Sequence, residues 1–198
     1  LVYLQISRGV ADRDFVQPTG ADPSVILFTQ SLPLLEAPAA ARGLRVVTRP
    51  DLRWHRRDIK TTQLLYPSMM KSAAVEMGVD DVWMVENGDI TEGSSSNAHI
   101  ITADGRLVTR PLSHDILHGI TRAAVLDYAA EAGVEVVERP FSVAEARSAR
   151  EAFATSATAF VTPVVEIDGE PVGEGVPGPG TRRIRELYIE RSRERLQY

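Results

Sequence analysis

DDVWMVENGDITEGSSSNAHIITADGRLVTRP, residues 80–111, decides the fold class of this chain. Its β-rich runs are separated by Asn87-Gly88 and Asp104-Gly105. Asn-Gly and Asp-Gly supply the positive φ angles that a two-residue hairpin turn requires. The pattern predicts an antiparallel meander. Outward from it the periodicity alternates between strand and helix. Upstream, Leu44–Thr48 predicts a strand, an Arg-rich segment runs to Lys60, and Pro67–Met77 predicts a helix with Pro67 in its first turn and Gly78 closing it. Downstream, Ala124, Val125, Tyr128 and Ala129 mark one face of a helix over Ala123–Ala132, Gly133 ends it, and Val134–Glu138 predicts a strand. Ser142 and Glu145 have the spacing of a capping box at a short helix. EAFATSATAFVTPVVEIDGEPV, residues 151–172, predicts two strands with an Asp168-Gly169 turn, and Thr181–Arg195 predicts a charged terminal helix.

Ahead of this, Val2–Ile6 and Ser24–Gln30 predict strands joined by a loop containing SRGVADRDF, residues 7–15. SLPLLEAPAAARG, residues 31–43, has the proline and alanine content of a connector. The expected organisation is residues 1–32, a connector over 33–42, and a large domain over 43–198, in an α+β fold rich in sheet with helices packed outside. The chain opens inside a predicted strand and without Met, and is expected to be the later part of a longer chain.

The 198 residues are 43% hydrophobic and 25% charged, an ordinary globular composition able to bury a core without cross-links. Absence of cysteine rules out disulfides, zinc thiolates and a cysteine nucleophile. A net charge of −5, with no basic patch interleaved with aromatics, speaks against nucleic acid. No apolar run approaches the ~18 residues of a membrane helix. No metal site is expected.

Only two of the 22 lysines and arginines are lysine, Lys60 and Lys71. A chain that uses arginine almost everywhere keeps lysine where an amine is needed, because an amine can lose its proton and form a Schiff base and a guanidinium cannot. An ordinary solvated lysine is the alternative. Schiff-base chemistry most often means pyridoxal phosphate, and such a site needs a carboxylate on the ring nitrogen, donors for the phosphate and a cation for the substrate carboxylate. Glu92, followed by a small hydroxyl-rich run, is the carboxylate candidate, or else one more surface glutamate; Glu86 and Asp89 read as solvated. Gly119–Arg122 (GITR) opens a helix whose N–H groups suit an anion, unless Thr121 merely caps it. Thr155–Thr158 (TSAT) is a second hydroxyl-rich turn. Arg13 suits a carboxylate by its fork of donors, unless Asp12 or Asp14 pairs with it.

RRDIKTTQLL (56–65), NGDITEGSSSNAHII (87–101), LHGITR (117–122) and ATSATAFVTPVVEIDG (154–169) together resemble, in order and spacing, the class IV (fold type IV) pyridoxal-phosphate aminotransferases. Within that family they are most similar to the D-amino-acid transaminases. The resemblance covers about 150 residues. It implies a large, sheet-rich pseudo-barrel domain that binds pyridoxal 5′-phosphate, preceded by the tail of a smaller α/β domain (residues 1–32) of which about 80–90 residues are missing. Lys60 would form the Schiff base and shuttle the proton, and Glu92 would hold the ring nitrogen. Leu117 would pack on the ring, while Ile120, Thr121, Ser156 and Ala157 would bind phosphate, Ala157 by its N–H alone. Lys71 matches nothing catalytic.

For the subclass, Arg13 matches a carboxylate-binding arginine, but Phe15 stands where D-specific relatives place a histidine. Phe15 replaces a polar contact by an apolar wall. Leu65 and the SSSN run (94–97) resemble the D-amino-acid group rather than branched-chain relatives. The implied activity is amino transfer between a D-amino acid such as D-alanine and a 2-oxo acid, in a cytoplasmic homodimer. A branched-chain or (R)-amine transaminase and an aminodeoxychorismate lyase share these motifs. A binding module with a decayed site is the non-enzymatic alternative.

Overall fold

The computed structural model describes residues 1–195. They fall into a first unit, Leu1–Leu35, and a second that begins at Glu36. In the first, β1 (Val2–Ser7) and β2 (Ser24–Thr29) pair antiparallel, with Tyr3 stacked on Phe28 at 4.8 Å.

The second unit contains a short helix α1 (Pro38–Arg42), β3 (Leu44–Pro50), α2 (Leu65–Glu76), β4 (Asp81–Glu86), β5 (Asp89–Gly93), β6 (Asn97–Ile101) and β7 (Leu107–Thr109). It continues with α3 (Ile120–Glu131), β8 (Val136–Glu138), α4 (Val143–Ser148), β9 (Glu151–Ser156), β10 (Phe160–Ile167), β11 (Glu170–Pro171) and α5 (Pro179–Arg195). Its strands form one mixed sheet in the order β5-β4-β3-β10-β9-β6-β7-β8, with β11 on β10. The β3–β4, β3–β10 and β7–β8 pairs are parallel; the others are antiparallel.

The expected meander is therefore broken. Asn87-Gly88 and Asp104-Gly105 do make the β4–β5 and β6–β7 hairpins, but β6 pairs with β7 and β9, not with β5. Only Ser94–Ser96 separate β5 from β6, so Gly93 and Asn97 can lie at most about 14 Å apart. Laid flat, the six strands from β5 to β6 would span about 24 Å. The sheet must curl until its β5 end returns towards β6, and a Gly93 N–H to Ser96 C=O bond of 2.7 Å marks the approach. This curl makes the pseudo-barrel.

Strand alternation sorts the core. Ala98 and Ile100 of β6 join Val46, Trp83, Ile90 and Phe141 in one cluster, while Ile101 joins Val125, Ala129, Phe153 and Ile184 under α3 and α5. Val82 and Met84 of β4 pack with Ala74 of α2. Asn97 and His99 thus share the β6 face that meets α3. Smaller expectations shift as well. The connector contains α1, α3 starts three residues early, and β8 starts at Val136 because Val134 remains in the turn after Gly133. Ser142 Oγ accepts the Glu145 N–H at 3.1 Å, but the Glu145 carboxylate binds Arg139, so half of the capping box forms.

Candidate active site

β3 ends at Pro50 and delivers the loop 51–64. Asp51, buried, accepts a fork from Arg53: Nε to Oδ1 at 2.9 Å and Nη2 to Oδ2 at 2.7 Å. Thr91 Oγ1 donates to Asp51 as well, at 2.7 Å. The remaining arm of Arg53, Nη1, donates to Glu92 Oε1 at 2.6 Å. Arg57 forms a two-pronged pair with Glu86 at 3.0 and 3.2 Å, so Glu86 is engaged rather than solvated. The Arg57 N–H donates to the His114 carbonyl at 2.9 Å. The loop is thereby tied both to β5 and to the segment that leads to Leu117. Lys60 lies on this loop, exposed, with no hydrogen bond or ion pair among the described residues. Lys71, on α2, donates to the Asp80 carbonyl at 2.6 Å.

Glu92, at 3% exposure, is the most enclosed of the expected site residues after Thr121. Its Oε2 accepts from Asn97 Nδ2 at 2.9 Å and from the Leu117 N–H at 3.0 Å. Asn97 Nδ2 also donates to the Leu117 carbonyl at 2.9 Å. Two carboxylate oxygens offer about four acceptor positions, and three are taken. The open one is on Oε1.

Two residues after Leu117, Gly119 caps α3 without any side-chain cap, and no acidic residue occupies the first turn. Thr121 is the second helical residue rather than the cap. Its hydroxyl is buried and has no hydrogen-bond partner among the described residues. Ser156 and Ala157 follow Thr155, which pairs in register with Asn97. The turn they open therefore borders the strand end that holds Glu92's amide donor. Ser156 Oγ accepts the Ala159 N–H at 3.2 Å, which leaves its own proton to donate.

Burial pushes the Glu92 carboxyl above its ordinary range, and Arg53 and the Leu117 N–H offset this only in part. Burial acts the same way on Asp51, but there Arg53, Thr91 and Arg57 prevail and hold the carboxyl below its ordinary value. Burial also opposes the charge of Arg53, whose two carboxylate partners outweigh it and raise its pKa.

Arg13 and Phe15 belong to the first unit. The Arg13 guanidinium lies 4.7 Å over the Phe15 ring, and neither Asp12 nor Asp14 pairs with it.

The second unit thus brings together Glu92, Leu117, the Ile120–Thr121 turn and the Ser156–Ala157 turn, with Lys60 on a loop bonded to Glu92 through Arg53 and to the His114 carbonyl three residues before Leu117. Arg53 has no distinguishing signal in the sequence, and Asn97 figures there only as the end of the SSSN run, with no site role. Arg53 stands among several arginines, and the Glu92 it contacts is 39 residues away.

The curled mixed sheet brings a buried carboxylate near an uncapped helix N-terminus, an arrangement that suits a ligand carrying both a ring N–H and a phosphate. The family model for class IV aminotransferases matches residues 1–167. The chain belongs to this family. A D-alanine aminotransferase of Staphylococcus aureus (strain MSSA476) is 38% identical over 196 residues, covering 96% of this chain and 68% of that protein. The branched-chain amino acid aminotransferase of Escherichia coli superposes with a TM-score of 0.82 at 30% identity, covering 96% of this chain and 64% of its own. A second branched-chain amino acid aminotransferase (T.th.), complexed with N-(5′-phosphopyridoxyl)-L-glutamate, gives 0.71 at 31% identity over 77% of this chain and 52% of its own. The chain thus spans about two thirds or less of the length of these relatives.

Class IV aminotransferases work with pyridoxal 5′-phosphate, and the residues present fit that group. The unpartnered Thr121 hydroxyl at an uncapped helix N-terminus suits the phosphate, and the open acceptor position of Glu92 suits a ring N–H.

Proposed function

We propose that this chain transfers an amino group between a D-amino acid, such as D-alanine, and a 2-oxo acid. The cofactor-binding part of the proposal rests on Asn97. Its amide ties Glu92 to Leu117, and its Oδ1 lies against Gly119. A nitrogen-binding carboxylate, a ring-packing residue and a phosphate turn are then held as one unit.

Pyridoxal phosphate, when bound, supplies an aldehyde that condenses with amines and a ring that draws electrons from the substrate α-carbon. Lys60 supplies the amine that anchors it. With the cofactor bound, the Lys60 amine, once free, would act as general base and acid, taking the proton from the substrate α-carbon and giving it back in the course of the transfer. Glu92 keeps the ring nitrogen protonated, which stabilises negative charge developing at the α-carbon. The Ile120 and Thr121 N–H groups, which no intrahelical carbonyl satisfies, take phosphate oxygens together with the Thr121 and Ser156 hydroxyls and the Ala157 N–H. Leu117 packs on the ring and keeps water from it. Arg13, with Phe15 as an apolar wall beside it, is assigned to the substrate carboxylate by analogy with the family, in the site of the partner subunit. The working unit is a homodimer in the cytoplasm. Among the described residues no helix is long and apolar enough to cross a membrane.

The D-alanine aminotransferase relative supports the D-amino-acid assignment, as does Leu65 at the start of α2. The structural matches at 30–31% identity favour a branched-chain substrate as the second reading. Turnover with D-alanine, L-leucine, (R)-1-phenylethylamine and aminodeoxychorismate, each with and without 2-oxoglutarate, separates them. The proposal expects pyruvate from D-alanine only when the acceptor is present. Faster turnover of L-leucine, or pyruvate from aminodeoxychorismate without acceptor, would overturn it.

A further inference from the structure

Glu92 is buried beside a cation, and every arm of that cation is in use. Arg53 spends Nε and Nη2 on Asp51 and Nη1 on Glu92, at 2.9, 2.7 and 2.6 Å. Its side chain is only 13% exposed and that of Asp51 is fully buried. A guanidinium is rigid and planar, so the fork to Asp51 fixes the direction in which Nη1 points. Thr91, next to Glu92 on β5, holds Asp51, and Arg57 lies 3.5 Å from the same Asp51 oxygen while pairing with Glu86. In this cluster Asp51, Glu86 and Glu92 face Arg53 and Arg57. Three carboxylates against two guanidiniums leave a net charge of −1, with the exposed His55 ring, 3.7 Å from Glu86, as the other titratable group at the cluster's edge. A protonated ring nitrogen at the open Oε1 position would balance that charge.

We infer that Arg53 is a positioning residue that, locked by Asp51, keeps Glu92 ionised and its Oε1 aimed, and so fixes the proton on the cofactor ring nitrogen rather than on the carboxylate. This rests on the proposed cofactor reading of Glu92 and names what controls it. A proton shared between Glu92 and a pyridine nitrogen can reside on either. Burial favours the neutral carboxyl, which would leave the ring uncharged and a poorer electron sink. Arg53 opposes that outcome by stabilising the carboxylate. Asn97 and the Leu117 N–H add donors to Oε2 but no charge, so they orient Glu92 without setting its ionisation to the same degree.

The test uses the full chain loaded with pyridoxal phosphate labelled with 15N in its ring, in wild type, Arg53→Gln and Arg53→Lys. The ring 15N chemical shift reports where the proton resides, whether or not the enzyme turns over. Wild type is expected to show a protonated ring. Arg53→Gln should retain cofactor, since the phosphate turns are untouched, and its ring signal should move towards unprotonated pyridine. Its kcat should fall about tenfold, the factor equivalent to one pK unit, with KM within about twofold. Arg53→Lys cannot bridge Asp51 and Glu92 as a fork, and it should give intermediate values of both. Wild-type ring shift and kcat in Arg53→Gln would overturn the inference. Should that variant fail to fold, Arg53→Lys decides alone, and wild-type values there would overturn it. A wild-type protein that binds no cofactor at Lys60 would instead refute the functional proposal, and borohydride reduction of wild type reads that separately.

Discussion

Substituting Gly119 by alanine adds one methyl group, and the structure specifies what that methyl meets. Gly119 has φ −66° and ψ 130°, a conformation alanine adopts without strain. The entire effect is steric. A Cβ there would fall closer than 3.0 Å to Asn97 Oδ1, a buried side chain in the middle of the site. Asn97 would have to retreat by about 1 Å to reach ordinary contact. Its Nδ2 bonds to Glu92 and to the Leu117 carbonyl are both 2.9 Å and would not survive such a movement. One is charge-assisted and one neutral. Losing both with the partners still buried costs about 2–4 kcal/mol. For a chain of this size that is about a 4–16 °C fall in Tm. Urea unfolding of wild type, Gly119→Ala, Asn97→Ala and the double variant measures it. If the methyl acts through Asn97, the double variant should be no less stable than Asn97→Ala alone. A Gly119→Ala protein within about 0.5 kcal/mol of wild type, or costs that simply add, would refute the reasoning.

His99 is fully buried, stacked on Phe153 at 4.6 Å, with its Nε2 2.9 Å from Thr155 Oγ1; burial chiefly, with Arg122 nearby, lowers its pKa to about 3. Below its ordinary value near 6.5 the unfolded chain takes up a proton the native state refuses, so stability falls as pH drops from 6.5 towards 3, by about 2 kcal/mol at pH 5. Urea unfolding at pH 8 and pH 5 should show that extra loss in wild type and not in His99→Gln; equal losses in both would contradict it. Glu151, buried, accepts the Gly180 and Thr181 N–H groups at 2.9 and 2.7 Å at the start of α5, so Glu151→Gln should cost about 2 kcal/mol in the same assay. Glu92→Gln should keep the cofactor but lower kcat about 100-fold or more, measured as pyruvate release from D-alanine, and an unchanged rate would remove Glu92 from the chemistry.

The sheet-rich fold and the family resemblance are legible in the sequence because their signals are local. Asn87-Gly88 and Asp104-Gly105 dictate hairpins whatever surrounds them, and Gly78 and Gly133 each follow a helix within a residue or two. The break between β5 and β6 is not legible, because turn residues say nothing about the third strand a hairpin pairs with. The β6–β9 ladder depends on segments far apart in the chain, and only tertiary packing selects it. The same divide runs through the site. Lys60 stands out by composition, being one of two lysines. Arg53 looks like any of its neighbours until the fold sets Asp51 on one side of it and Glu92 on the other. Glu86 reads as a solvated turn residue for the same reason, since nothing near it in sequence announces Arg57.

A chain with two lysines permits an unusually direct test of where the cofactor is held. Protein loaded with pyridoxal phosphate is reduced with borohydride, digested, and its peptides weighed by mass spectrometry. The account predicts a pyridoxyl group on the peptide containing Lys60 and none on that containing Lys71. Label on Lys71, or on neither lysine, would contradict it.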